Sequence, residues 1–156
     1  MQFIKNGPDV PEALLQAHEE GRVVFFCGAG ISYPANLPGF GKLVDVVRSG
    51  MGYTLNTVEE EAIRREQYDT AIGLIERNLT GGRNVFRRGI VDALKPDYSL
   101  KDATKTHESL LALAKSRDNR LRLITTNFDR IFEHVIKRDA LDAVTFRAPH
   151  LPVPKK

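Results

Sequence analysis

The sequence has little cysteine and no long apolar segment, and each shortage excludes a class of protein. Cys27 is the single cysteine among 156 residues, so this chain can build neither a disulfide framework nor a multi-cysteine zinc site. No stretch approaches the length of a membrane span, and the amino terminus lacks the apolar core of a secretion signal. We therefore expect a soluble, cytoplasmic protein with no zinc or other metal and no membrane contact.

Basic residues are concentrated in the second half of the chain. Residues 1–78 contain 7 basic and 11 acidic residues, whereas residues 79–156 contain 16 basic and 9 acidic ones. A positive half can attract nucleic acid, but it can equally hold a phosphorylated small molecule or form an ordinary solvated surface. Because no aromatic side chains interleave with the lysines and arginines as stacking platforms, we expect no direct nucleic-acid binding.

Three apolar runs predict strands, and longer amphipathic stretches predict the helices between them. The runs over 23–27 and 121–126 end in polar clusters, and 143–146 is a weaker third strand. The spacing predicts helices over 10–20, 42–48, 85–94, 106–115 and 128–137, and one long helix from a Thr57/Glu60 capping box to Gly81. Long helical crossovers favour parallel pairing, so we predict an α/β fold with a Rossmann-like, three-layer parallel sheet. The unalternated run 23–27 suits a strand buried on both faces.

The predicted organisation is a single domain over 1–156 with a helical insertion at 42–118. A proline-rich tail over 148–156 can close no sheet. Three strands make a small sheet, and we expect the domain to be incomplete, lacking partner strands at its carboxyl end.

Chemistry-bearing residues follow both main strands. Gly28 and Gly30 permit a tight turn where backbone amides can approach phosphate, and the next helical turn adds a favourable dipole. A plain strand-to-helix turn explains the same glycines. Asn127 can orient a water or a ribose hydroxyl, or cap the following helix. Asp129 is either a ligand contact or a first-turn acid that complements the helix dipole. Since the carboxyl ends of parallel strands share one crevice, we expect both clusters to border one ligand.

Together these segments resemble the sirtuin-like family of NAD-binding domains. Gly28-Ala29-Gly30-Ile31-Ser32 matches the family's phosphate loop, and Thr125-Thr126-Asn127-Phe128-Asp129 resembles its Thr-x-Asn-x-Asp motif. Pro38-Gly39-Phe40 looks like a degraded form of its Pro-Asp-Phe-Arg segment, and the stretch from His107 to Leu113 is similar to its histidine-bearing helix. The resemblance covers residues 23–133.

The resemblance implies a role for each matching residue. The loop residues Gly28, Ala29, Gly30, Ile31 and Ser32 would bind the pyrophosphate and adjacent ribose of NAD. Phe40 would cover the nicotinamide ribose, and Thr126 belongs to the second binding motif. Asn127 would position the attacking water or the ribose, and Asp129 would shape the nicotinamide pocket. Asn127 and Asp129 are therefore the expected catalytic residues, because fixed polar groups stabilise the charge that develops on the ribose.

Departures from the family restrict the activity that the resemblance implies. Its protein deacylases carry four zinc-binding cysteines and an arginine after the Phe40 position, whereas this chain has one cysteine and Gly41-Lys42 there. The remaining match is to the zinc-free bacterial branch, which degrades NAD in antiphage defence. That branch uses a histidine followed by glycine after the second motif, and this sequence has no His-Gly pair.

Three of the four histidines have a simpler interpretation than catalysis. His18 and His134 lie in predicted helices, and His107 matches a structural position of the family. His150 follows the second motif in the right order but precedes Leu151 in the proline-flanked tail; near-neutral titration would suit it as a base. Cys27 lies on a predicted buried strand, where packing is its expected role.

These observations leave three functional hypotheses. The first is an NAD glycohydrolase, a hydrolase that releases nicotinamide from NAD as substrate and serves as a bacterial antiviral effector. We expect it to work with sensor or partner domains outside this chain and as a homo-oligomer. The second is a module that binds NAD or ADP-ribose without cleaving it, as the missing His-Gly pair suggests. The third is an assembly domain whose basic half docks on a partner.

Overall fold

The computed structural model describes residues 1–149, and it is 50% helix and 6% strand. Along these residues the elements are α1 (Glu12–Glu19), β1 (Phe25–Cys27), a 3₁₀ helix (Ala29–Ala35), α2 (Phe40–Gly50), α3 (Thr57–Arg64), α4 (Tyr68–Asn78), α5 (Gly82–Ala93), α6 (Lys105–Ala114), β2 (Leu123–Thr125) and α7 (Ile131–Arg138). Every regular element between the two strands is helical. No helix among residues 1–149 is both long and apolar enough to cross a membrane.

The sheet contains two short parallel strands, which contradicts the predicted three-layer Rossmann-like fold. Phe25 pairs with Leu123, Phe26 with Ile124 and Cys27 with Thr125. The expected third strand at 143–146 has no regular secondary structure. A short apolar run becomes a strand only where a neighbouring backbone completes its hydrogen bonds, and local composition does not reveal whether that neighbour exists. The described residues therefore form a mostly helical fold around one parallel strand pair.

The strand pair is buried on one face only, so the expectation of two covered faces is also wrong. Cys27 is buried, whereas Phe26 is 70% exposed and its partner Ile124 is 51% exposed. Parallel sheets with helices on both faces bury such side chains. Here the helices between the strands pack largely with one another.

Two hydrophobic clusters form the core. The first, which we call the sheet cluster, joins the inner sheet face to the 3₁₀ helix, α6 and α7; its buried members are Cys27, Ala35, Leu37, Ala103, Leu111, Ile131, Phe132 and Val135. The second, the helical cluster, joins α2, α3, α4 and α5. Its buried members are Leu43, Val44, Val47, Ala62, Ala71, Ile75 and Phe86. The candidate site described below lies beside the sheet cluster, and residues of α2 and α5 complete its wall.

Most predicted helices are present. The starts of α3 and α7 differ from the prediction, and one predicted long helix is divided into α3 and α4. The capping box uses Asn56 and Glu59 instead of Thr57 and Glu60: the Asn56 side chain accepts from two amides at the start of α3, and Glu59 Oε2 accepts from the Asn56 amide at 2.9 Å. The expected long helix is interrupted between α3 and α4, where Glu66 adopts a left-handed φ of 58°. The last helix begins at Ile131 and not at Phe128. The change at the start of α3 arises because neighbouring polar residues offer competing caps that differ by one position.

Candidate functional site

The strand pair brings the two polar clusters to one edge of the sheet. β1 runs directly into the 3₁₀ helix, and β2 runs into the loop that contains Asn127 and Asp129. The Cys27 carbonyl accepts hydrogen bonds from the Thr126 amide and the Thr125 hydroxyl, both at 3.2 Å. These contacts hold the two strand ends together, and the predicted convergence of the two clusters is confirmed.

Ser32 is the centre of a hydrogen-bond network between the clusters. Its hydroxyl donates to Asp129 Oδ2 at 2.7 Å, accepts from Asn127 Nδ2 at 3.1 Å, and lies 3.4 Å from His107 Nε2. Ser32 is 1% exposed and His107 is 0% exposed. The network therefore links the 3₁₀ helix, α6 and the β2 loop through one buried oxygen.

The number of protons in this network determines which groups donate. A serine hydroxyl has one hydrogen and two lone pairs. Because that hydrogen is directed to the Asp129 carboxylate, the Asn127 amide nitrogen donates to the Ser32 oxygen. A hydrogen bond between His107 and Ser32 across 3.4 Å then requires the neutral ring to carry its proton on Nε2.

Two acceptors then remain buried without a partner among the described residues. These are Asn127 Oδ1 and His107 Nδ1. An unpaired buried polar atom costs about 1–3 kcal/mol, so such atoms indicate a role or a missing partner. The free acceptor of Asn127 belongs to a residue that borders a cavity, where a ligand or a water can supply the donor.

Asp129 contacts both Ser32 and the start of α7. Its Oδ1 accepts a hydrogen bond of 3.0 Å from the Ile131 amide at the start of α7, while Oδ2 accepts from Ser32. Both carboxylate oxygens are thus in use. The Ile131 contact fits the interpretation of Asp129 as an acid at the helix start, and its role as a ligand contact stays a prediction. The Asn127 side chain, by contrast, contacts Ser32 and does not cap α7.

The glycine turn is open and does not depend on glycine for its shape. Gly28 has φ −108° and ψ 180°, and neither Gly28 nor Gly30 has a positive φ. A Cβ at Gly28 would meet no atom within 4 Å. The expectation that these glycines permit a tight turn is therefore wrong. The turn leads into a 3₁₀ helix of seven residues and not into an α-helix.

A cavity of about 280 Å³ lies against this network. Of the residues predicted to bind or act on NAD, Ala29, Ser32, Phe40, Thr126, Asn127 and Asp129 line it. Gly28, Gly30 and Ile31 do not line it. A neighbouring cavity of about 660 Å³ shares Leu37, Pro38 and Phe40 with the first, so the Phe40 segment forms the wall between them. We call the smaller one the Asn127 cavity.

Several lining residues of the Asn127 cavity were not predicted from the sequence. They are Leu37, Pro38, Leu43, Leu94 and Phe128. Pro38 and Phe128 lie inside the quoted motifs, and their position next to predicted site residues could have indicated that they line the cavity. Leu94 follows α5, and no local pattern indicates that this helix end approaches Asn127. These side chains make the walls mostly apolar around a few polar groups, the usual composition of a small-molecule site.

Burial shifts the pKa values of His107 and Cys27 toward their neutral forms. Burial lowers the pKa of His107, and the Asp129 charge opposes part of that shift. Burial also raises the pKa of the Cys27 thiol, which makes it a poor nucleophile. No group of three or more histidine, cysteine or acidic residues is arranged to hold a metal ion within residues 1–149.

The other histidines make contacts away from the Asn127 cavity. His18 Nε2 lies 2.6 Å from the Leu113 carbonyl, which ties α1 to α6. His134 stacks on Tyr98 with ring centroids 4.1 Å apart. His150, the candidate base predicted in the tail, lies outside the described residues.

Comparison with known proteins identifies a similar sequence of unassigned activity. This chain is 35% identical over 127 residues to the uncharacterized protein y4cA of Sinorhizobium fredii (strain NBRC 101917 / NGR234). The match covers 81% of this chain and 10% of that protein, so the chain spans about a tenth of the relative's length. No family model matches the chain, and no solved structure matches it.

Proposed function

We propose that this chain binds NAD in the Asn127 cavity and hydrolyses the bond between nicotinamide and ribose. The observation that carries the proposal is the Asn127 carboxamide, whose nitrogen is held by Ser32 and whose buried oxygen has no hydrogen-bond partner among residues 1–149, in a residue that lines the cavity. An acceptor in that state requires a donor, and a ribose hydroxyl or a water molecule supplies one. The wider assignment to bacterial antiphage defence depends on the sirtuin-like motifs alone.

The size and lining of the Asn127 cavity suit one end of NAD. A volume near 280 Å³ accommodates a ring and a sugar, not a whole dinucleotide. Phe40 and Phe128 offer aromatic surface for the nicotinamide ring, and Asn127 offers the polar contact for the ribose. The open surface above Gly28 leaves space for the phosphates to approach the backbone.

The proposed reaction replaces one bond at C1′ of the ribose with another. The water oxygen forms a bond to C1′ of the ribose as the bond from C1′ to the nicotinamide nitrogen breaks. The bonding electron pair returns to the ring, which leaves as neutral nicotinamide, and the water releases one proton. Positive charge develops on the ribose in the transition state, so an oriented amide dipole lowers the barrier. The contribution of Asn127 is to orient the ribose or the water, because a neutral amide does not remove the proton.

The direct test measures nicotinamide released from NAD by the purified chain. We expect Asn127→Ala to lower this release about 100-fold or more, the usual loss for a preorganised polar group in an active site. Asn84→Ala is the matched control, since Asn84 lies on the exposed surface of α5. Unchanged release by folded Asn127→Ala would contradict the proposed role.

A binding module that does not cleave NAD is the second candidate, and one observation favours it. No histidine within residues 1–149 lines the Asn127 cavity, and the nearby His107 uses Nε2 to contact Ser32. The described residues therefore offer no imidazole there to accept the proton from water. Calorimetry with NAD, followed by product analysis, separates the candidates. Binding of NAD without release of nicotinamide favours the binding module. Binding followed by release of nicotinamide favours the hydrolase, and absence of NAD binding contradicts both candidates.

A further inference from the structure

We infer that His107 is a positioning residue, which acts through Ser32 to hold the Asn127 carboxamide in one orientation. The inference deepens the proposed function and depends on it for its consequences in catalysis. His107 belongs to α6 and is 75 positions from Ser32 in sequence, yet its Nε2 lies 3.4 Å from the Ser32 hydroxyl oxygen. It does not line the Asn127 cavity.

The role follows from the capacity of the Ser32 oxygen for hydrogen bonds. One proton leaves toward Asp129, and two lone pairs remain. If only Asn127 donated, the second lone pair would stay unpaired and the orientation of the hydroxyl would be held less firmly. The Nε2–H of His107 fills that position, so the hydroxyl has one arrangement and the Asn127 nitrogen meets a fixed acceptor.

The surroundings of the ring explain why it keeps this orientation. His107 is fully buried, and its edge meets the Phe132 ring at a centroid distance of 4.7 Å and an interplanar angle of 69°. The packing leaves Nδ1 without a partner among the described residues. A buried imidazole with one unpaired nitrogen costs stability relative to an apolar side chain. The compensating contact is the one to Ser32.

Burial also keeps the ring neutral near pH 7. The low dielectric surroundings lower the pKa of His107, although Asp129 on the other side of Ser32 opposes the shift. A neutral ring carries one proton, and the network assigns it to Nε2. Consequently the ring donates to Ser32 and cannot act as an additional acceptor for the serine proton, which remains directed to Asp129.

The first test examines the ring itself and needs no activity. Nitrogen NMR of histidine-labelled protein distinguishes the two neutral tautomers and the charged form. We expect His107 to carry its proton on Nε2 at pH 7, and to lose the protected Nε2–H signal in Ser32→Ala. A proton on Nδ1, or a charged ring at pH 7, would overturn the inference even if the chain hydrolyses NAD.

The second test compares two amide substitutions that place the donor differently. The side-chain nitrogen of His107→Gln can occupy the position of Nε2, whereas that of His107→Asn lies nearer Nδ1. We expect His107→Asn to change the chemical shifts of the Asn127 side-chain amide and to lower kcat for NAD about 10- to 100-fold with little change in KM. His107→Gln should restore both readouts.

The outcomes separate this inference from the proposed function. If the chain releases no nicotinamide, the proposed hydrolysis fails, while the tautomer and the Asn127 amide signals still test the role of His107. Asn127 signals that are identical in folded His107→Asn and in the unmodified chain would overturn it. If His107→Asn does not fold, His107→Gln and the tautomer measurement decide.

Discussion

Asn127 Nδ2 donates a hydrogen bond of 3.1 Å to Ser32 Oγ across 95 positions of sequence. The two residues come from the two motifs that resemble sirtuin-like domains, and their contact is direct. Ser32 is buried below the surface of the cavity with its hydroxyl fully used. Its side chain is therefore an internal support for Asn127, and the expected role of Ser32 at the pyrophosphate and ribose of NAD stays a prediction.

We expect Ser32→Ala to lower the free energy of unfolding by about 1–3 kcal/mol, because buried groups of Asn127, His107 and Asp129 each lose a partner. Urea denaturation measures the change, and nicotinamide release should fall with it. Ser109→Ala on the exposed side of α6 is the control. Equal stability of the two variants would show that the network contributes nothing to folding.

Replacement of Gly28 by alanine should separate folding from binding. The extended backbone at Gly28 accepts any residue, and the added Cβ has open space around it, so the free energy of unfolding should change by less than about 0.5 kcal/mol. If phosphates approach this backbone, the methyl group should weaken NAD binding in calorimetry. The control is Gly81→Ala, which should destabilise by about 1 kcal/mol or more because Gly81 has φ 114°. Undiminished NAD affinity in Gly28→Ala would place the phosphates elsewhere.

The stability of the chain should decrease in mild acid because of His107. Its pKa in the folded state is lower than the ordinary value of 6.5, so the unfolded chain binds the proton more readily. This contribution is fully present above about pH 6.5 and is lost as the pH falls through the lower folded pKa. Denaturation between about pH 7 and pH 5 should show the decrease, and His107→Gln should show a shallower slope. If the free energy of unfolding has the same slope against pH in both proteins, groups other than His107 cause the acid sensitivity.

Two phenylalanines test the one-sided burial of the sheet. Phe26 on β1 is 70% exposed, whereas Phe86 on α5 is 2% exposed. We expect Phe86→Ala to cost about 3–5 kcal/mol and Phe26→Ala to cost less than about 1 kcal/mol. Thermal or urea unfolding measures both. A large loss for Phe26→Ala would mean that the outer sheet face is covered in solution.

Local pattern was enough to predict most helices and the two strands that carry the motifs. Apolar residues three and four apart, as at Ile72 and Ile75, predict a helix because they must share one buried face. Pattern was not enough for the break at Glu66 or for the cap at Asn56, since both depend on small free-energy differences between adjacent positions. It also failed for residues 143–146, where strand formation requires a pairing partner.

The meeting of the two polar clusters could be predicted from the sequence, whereas the position of His107 beside them could not. Parallel strands place their carboxyl ends together, so the meeting of Ser32 with Asn127 followed from the predicted pairing of β1 with β2. The role of His107 did not follow, because α6 packs beside the 3₁₀ helix through contacts that no spacing in the sequence encodes. Leu94 reaches the cavity for the same reason.

The sequence by itself determined the amphipathic helices, the two apolar strands and the polar residues that follow them, because each depends on neighbours along the chain. Only the tertiary structure decided that the sheet has two strands, that one of its faces is open, and that the Ser32 hydroxyl is consumed by Asp129, Asn127 and His107. Those features depend on which distant groups meet. A hydroxyl with one proton and two lone pairs can be assigned a role only when all of its partners are in position.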